Sequence, residues 1–231
     1  MTVQAGLLLS CIAFLATHFL LSHPLRGLLV RAMGERRFQG LYSLIALITF
    51  GAMIYFYHAC GREPSLTCAA AVSRSENCSW SPGEAEWILG TILMWLASIL
   101  FVGSFLRNPA LVGAPGPRGG PKGVLAITRH PMMWSFAIWA AVHFMLIQQF
   151  KSVIFDGTII IMALAGAFGQ DRKKARTMGE GWHEWVAETA FVPFTRGLAY
   201  PGTVALAGGT LLFLIATWAH PIPAGIWRWV G

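Results

Sequence analysis

Charge is what this sequence has least of. Asp and Glu together number 10 in 231 residues and Lys and Arg 17, so charged residues make up 12% against 55% hydrophobic. With a mean hydropathy of +0.58, that balance excludes an ordinary soluble domain and points to an integral membrane protein. The formal charge of +7 does not point to nucleic acid. The basic residues sit in short loops between apolar runs, where membrane topology accounts for them. Neither a GxxxxGK[ST] nor a GxGxxG pattern is present, which removes the common phosphate cradles. No HExxH and no pair of carboxylates falls within an apolar run, which removes a zinc hydrolase and a di-iron site. No internal repeat is evident, and no basic region precedes the first apolar run, which therefore reads as a span and not a signal.

What is present is a series of six apolar segments long enough to cross about 30 Å of hydrocarbon. They are Val3 to Leu21, Leu41 to Ala59, Trp87 to Leu106, Pro131 to Phe150, Val153 to Gly169 and Thr203 to His220. The fifth is interrupted near its start by Asp156, which with Lys151 is expected at the water boundary around a tight turn. The fold class is therefore an all-α, polytopic membrane helix bundle of about six transmembrane helices. The whole chain, 1–231, reads as a single integral membrane domain, with a Cys-containing outer loop at 60–86 and a cytoplasmic amphipathic segment at 170–197.

Lys and Arg retained on the cytoplasmic face set the orientation. One side carries Arg26, Arg31, Arg36 and Arg37, then Arg107, Arg118, Lys122 and Arg129, then Arg172, Lys173, Lys174, Arg176 and Arg196; the other has only Arg62, Arg74, Lys151 and Arg228. A 13 to 4 split places both termini outside, periplasmic if the membrane is a bacterial inner membrane. Cys60, Cys68 and Cys78 then fall on the more oxidising side, where a disulfide is expected with its pairing open. Zinc held with His58 is the less favoured alternative, because the spacings match no standard site. Cys11 reads as a small core residue. The Pro- and Gly-rich segment Arg107 to Lys122 is expected to be an irregular cytoplasmic loop. Asp171 to Phe194, with Trp182 and Trp185 among charges, is expected to be a helix lying at the membrane interface.

The stretch from Gly123 to Phe150 concentrates the chemistry. It opens on Arg129-His130-Pro131, with Pro131 suited to a first helical turn, and carries His143 near its far end. An imidazole in hydrocarbon needs a partner, a metal or water, so His143 is a functional candidate; the alternative is a bond to a neighbouring helix. His143 lies 13 residues beyond His130, about 20 Å at 1.5 Å per residue. His18 reaches a matching depth if the first helix runs past Pro24 to Arg31. If that helix stops at Ser22, His18 is only about 6 Å deep and the pair is broken. Two converging imidazoles could bind zinc, copper or iron, and haem fits best: it needs one or two axial side chains, an apolar pocket and cations for its propionates, a role open to Arg129 or Arg26. Trp139 before His143 and Phe19 beside His18 suit a macrocycle. His130, with no carboxylate beside it in sequence, is a candidate proton donor or acceptor. His58 and His220, at outer span ends, read as interfacial, and His23 and His183 as solvated.

Several of these residues resemble the NnrU family of bacterial membrane proteins, which is related to the zeta-carotene isomerases. They are His18 with Leu21-Ser22 and Pro24-Leu25-Arg26, Gly34-Glu35-Arg36 with Gly40-Leu41-Tyr42-Ser43, Ile127-Thr128-Arg129-His130-Pro131, His143 and Asp171-Arg172. The resemblance implies a polytopic membrane protein and, in the isomerase branch, haem b with His18 and His143 as metal ligands. Bacterial members are associated with denitrification and nitric oxide metabolism. Where the isomerase branch has a cysteine proposed as an alternative iron ligand, this chain has Ala140, so that ligand exchange is not available.

A second similarity is to membrane methyltransferases of the isoprenylcysteine carboxyl methyltransferase class, whose Arg-His-Pro corner precedes an acidic pair and a Phe-x-Pro segment. Here Arg129-His130-Pro131 is followed by Asp171 and by Val192-Pro193-Phe194. That similarity implies S-adenosylmethionine held by Arg129, His130 and Asp171. The leading expectation is thus a haem b protein in the bacterial inner membrane. It has His18 and His143 on the metal, Arg129, Arg26 and Asp171 around the cofactor, and His130 with Arg129 as catalytic candidates. Its partners would be the lipid bilayer and an apolar or small-gas ligand. Methyl transfer and a non-catalytic assembly factor are the alternatives.

Overall fold

A computed structural model describes residues 2–62, 81–110, 116–117 and 119–230. The disulfide expected among Cys60, Cys68 and Cys78 falls on Cys68 or Cys78 in every pairing, and both lie outside the described residues. The described residues are all-helical: α1 (Val3–Ser22), α2 (Arg26–Met33), α3 (Glu35–Ala59), α4 (Glu84–Gly103), α5 (Val124–Ile127), α6 (Pro131–Ile147), α7 (Phe150–Met178), α8 (Glu180–Glu188), α9 (Thr203–Trp218) and α10 (Trp227–Val230). Among them α1, α3, α4 and α7 are long and apolar enough to cross a membrane, and α6 and α9 are shorter apolar helices of 17 and 16 residues. The protein is a helical membrane bundle, and its apolar residues face outward as lipid requires: Leu47 is 70% exposed and Leu28 65%.

The chain divides into two compact units, Met1–Ser81 with Ile147–Met162, and Pro82–Leu146 with Ala163–Gly231. In the first unit α1 and α3 run antiparallel, with Phe14 against Phe50 at 5.7 Å and His18 against Tyr42 at 5.2 Å between ring centres. Between lipid-facing helices there is little hydrophobic drive, so small residues allow the close approach. A Cβ on Gly6 would lie 2.4 Å from the Phe56 ring. The end of α1 is decided by Pro24, which has no N–H to continue the ladder. The His23 N–H still donates to Phe19, but the Leu25 N–H reaches back to Leu20 across a widened turn. Helix α1 therefore stops at Ser22 and α2 begins afresh at Arg26.

Asp156 departs from its expected place. Helix α7 begins at Phe150, so Asp156 lies in its second turn, 3% exposed, and its Oδ2 has no hydrogen-bond partner among the described residues. Lys151, in the first turn, has its ammonium over the Tyr57 ring at 4.8 Å and donates to the Gly61 carbonyl.

In the second unit α4 packs on α9 through glycine. A Cβ on Gly209 would stand 2.4 Å from the Ile99 Cα, and one on Gly103 2.4 Å from Val124. Ile99, Leu100, Val124, Ile127 and Ala205 form the core beside this contact. Gly123 opens α5 at φ +62°, a left-handed conformation where a side chain would also meet the Pro201 carbonyl. No new helix begins at Asp171. Helix α7 continues unbroken through Asp171 to Met178, about 44 Å at 1.5 Å per residue, so its charged turns extend beyond a 30 Å hydrocarbon core. The short α8 that follows turns Trp182 and Trp185 inward, 1% and 4% exposed, against Ala110 and Leu125.

Candidate functional site

Two sites emerge in the second unit. The first is the corner before α6. Thr128 is extended, and the chain after α8 is stapled alongside it and Arg129. The Arg129 N–H donates to Ala190 (2.9 Å), the Thr128 hydroxyl to the Phe191 carbonyl (2.7 Å) and the Phe194 N–H to Ile127 (3.2 Å). The backbone thus fixes where the side chains emerge. Arg129 Nε and Nη2 donate to Asp171 Oδ2 at 2.9 and 2.7 Å, and its Nη1 donates to the Thr189 carbonyl at 3.3 Å. His130 Nε2 lies 2.8 Å from Asp171 Oδ1. The Phe191 ring lies 5.2 Å from the Arg129 guanidinium and 5.4 Å from the His130 ring.

The chemistry of this corner follows from its protons. An ionised carboxylate only accepts, so His130 Nε2 carries the hydrogen and Nδ1 keeps the lone pair in the neutral ring. His130 is 2% exposed, and Nδ1 has no partner among the described residues. The ring lines a cavity of about 20 Å³ with Asn108, Gln170, Met132 and Met133, room for one water. The carboxylate that the sequence did not set beside His130 is therefore Asp171. Local spacing did not show the link, since 41 residues separate them; the methyltransferase similarity alone grouped Asp171 with Arg129 and His130. The signal that was available is that both belong to loops assigned to the same side of the membrane.

The second site is at the far end of α6. His143 Nδ1 lies 2.8 Å from the Trp139 carbonyl one turn earlier, and the Trp139 and His143 rings are 4.2 Å apart. A carbonyl accepts only, so Nδ1 carries the hydrogen and Nε2 is left with its lone pair, the tautomer a metal ligand needs. His220, just past the end of α9, has its ring 6.3 Å from that of His143. It was expected to be merely interfacial. In the first unit His18 shows the same local bond, Nδ1 to the Phe14 carbonyl at 3.2 Å. Because α1 stops at Ser22, the condition that would have matched His18 to the depth of His143 is not met. Arg26 pairs with Glu35 and lies over Phe38.

A sequence comparison places these residues in context. The family described as NnrU protein matches residues 6–228. The chain belongs to the NnrU family. A 15-cis-zeta-carotene isomerase of the Arabidopsis thaliana chloroplast is 26% identical over 195 residues, covering 83% of this chain, and the chain spans about half the length of that relative. No solved structure matches.

In this NnrU protein the two expected cofactors fare differently. Among the described residues no group of three or more His, Cys, Asp or Glu gathers to hold a metal ion, but haem asks for only one or two axial side chains, and His143 has the right nitrogen free. Arg129, expected beside a propionate, is buried and bonded to Asp171 and Thr189. S-adenosylmethionine does not fit the corner. Arg129 and His130 are both bound to Asp171, and the cavity beside them takes one water, too small for that cofactor, so no step is derived through it.

Proposed function

We propose that this NnrU protein binds haem b through His143 and serves an isomerase-like function on an apolar, conjugated substrate within the membrane. The observation that carries the reading is the fixed tautomer of His143. Its Nδ1–H is held by the Trp139 carbonyl at 2.8 Å, and Nε2 has no partner among the described residues. The relative named 15-cis-zeta-carotene isomerase supports the substrate class. Haem, when bound, supplies a redox-active iron that can polarise a double bond or take a small ligand such as nitric oxide. The residues of the chain do the rest: the Trp139 carbonyl orients His143, and the Trp139 ring shields one face of the imidazole. At the corner, Asp171 fixes His130 with Nδ1 as the nitrogen able to accept or return a proton. The bacterial inner membrane, with the Arg- and Lys-rich loops cytoplasmic and both termini outside, is the setting this reading assumes.

The test is a visible absorption spectrum of the purified protein, oxidised and then reduced, with a pyridine haemochrome assay. One haem per chain in the wild type and none in His143→Ala is the expected result. A colourless wild type after expression with ample haem overturns the haem reading. Incubation of the coloured protein with a central-cis polyene in lipid vesicles, read by separation of geometric isomers, then tests the reaction.

A further inference from the structure

We infer that Asp156 is a proton-binding site within the first unit, loaded from the Lys151 end of α7 through the hydroxyls of Tyr57 and Ser152. The inference is independent of the haem reading, since neither His143 nor any cofactor enters it. The first ground is burial without a counter-charge. Asp156 is 3% exposed, its Oδ2 has no hydrogen-bond partner, and no Lys, Arg or His forms an ion pair with it among the described residues. Asp171, on the same helix, is the contrast, with Arg129 and His130 both on its carboxylate. An isolated charge sealed from water costs so much that the group gives it up, and for a carboxyl that means binding a proton. A proton, unlike a hard metal ion, needs no shell of oxygen ligands. Acids within membrane spans are rare, and proton relays are one of the places they occur.

The second ground is a row of hydroxyls leading to the carboxyl. Ser152 is fully buried and stands one turn before Asp156 on the same face of α7, where residues four apart have Cβ atoms about 5–6 Å from each other. The Tyr57 hydroxyl of α3 lies 3.3 Å from Ser152 Oγ. The Lys151 ammonium stands over the Tyr57 ring while bonded to the carbonyl of Gly61, which is exposed. A proton from water at that end passes onto one hydroxyl as that hydroxyl's own proton moves to the next, and the last is taken up by a carboxylate oxygen. A rotation of the Asp156 side chain closes the final gap, and no bond other than O–H is made or broken. Of the titratable groups that α3 and α1 turn toward this part of α7, Tyr57 is at Ser152 and the Cys11 thiol bonds to Thr158. Neither is a cation that could hold Asp156 ionised.

The experiment uses the full-length protein in lipid vesicles at neutral pH, read by infrared spectroscopy in the C=O region of protonated carboxylic acids. Expected is a band that the wild type shows and Asp156→Asn loses, and that shifts when water is exchanged for D2O. The shift is expected to be slower in Ser152→Ala and in Tyr57→Phe than in the wild type. A wild type without the band, a band that Asp156→Asn keeps, or one that D2O does not move overturns the site. Exchange at the wild-type rate in both hydroxyl variants overturns the route. Thermal melts give a second reading. Asparagine copies a neutral carboxyl in shape and charge, so Asp156→Asn is expected to melt at or above the wild type. A large fall in its melting temperature, or a failure to fold, would show that the charge itself is used and overturns the proposal.

Discussion

Asp171 is the residue on which the corner before α6 depends. Its carboxylate meets the Arg129 guanidinium and the His130 imidazole at once, and both partners are nearly sealed from solvent, with side chains 10% and 0% exposed. Removing one partner of a buried pair strands the other charge, which costs about 3–5 kcal/mol. Asp171→Ala is therefore expected to lower thermal stability sharply in detergent melts, and Asp171→Asn, which keeps one acceptor oxygen, to lie between it and the wild type. An Asp171→Ala protein melting with the wild type would show that the pair adds nothing. On the proposed haem reading, the same geometry keeps this corner apart from the cofactor. Arg129→Lys is expected to weaken the protein, since lysine keeps the charge but cannot reproduce the paired Nε and Nη2 bonds to Asp171, and, on that reading, to leave a Soret band in place, since the guanidinium is buried against Asp171 and Thr189.

At the scale of elements, glycine decides how closely helices meet. Gly209 faces the Ile99 backbone of α4 so tightly that an added Cβ would stand 2.4 Å away, whereas Gly51 in α3 has nothing within 4 Å. Gly209→Val is expected to force α4 and α9 apart, at a cost of about 3 kcal/mol or more, since neither helix backbone can yield as a side chain can. Gly51→Ala is expected to stabilise α3 by about 0.5–1 kcal/mol, through helix propensity alone. Melting curves of the two variants side by side test both, and equal effects would refute the packing account. The length of the apolar runs located α1, α3, α4, α6, α7 and α9 in the sequence. It did not show that α7 runs on through Asp171, because polar residues beyond the membrane look the same whether the helix continues or turns along the interface.

For the whole molecule, the distribution of Lys and Arg makes a prediction independent of any site. In a background lacking the native cysteines, Arg176→Cys is expected to be shielded from a membrane-impermeant thiol reagent in intact cells, and Lys151→Cys to react. They lie near opposite ends of the single helix α7, about 38 Å apart at 1.5 Å per residue. Labelling of both from outside would show that α7 does not cross the membrane, and labelling of Arg176→Cys alone would invert the topology.

The class of the protein and its apolar spans were legible in the chain because lipid imposes one rule on every residue it touches, and composition records that rule. The Arg129-His130-Pro131 corner and His143 were legible as candidates because a charge or an imidazole near hydrocarbon stands out against its neighbours. What these residues do with one another was decided only by the tertiary structure. Asp171 reaches His130 across 41 positions, and His220 lies beside His143 across 77; nothing in local spacing encodes either meeting. Trp182 and Trp185 have the composition of an interfacial helix, yet they are buried because Ala110 and Leu125 offer them an apolar seat. Sequence patterns report the solvent a residue prefers, while partner choice depends on which helices the close contacts at Gly103 and Gly209 allow to meet.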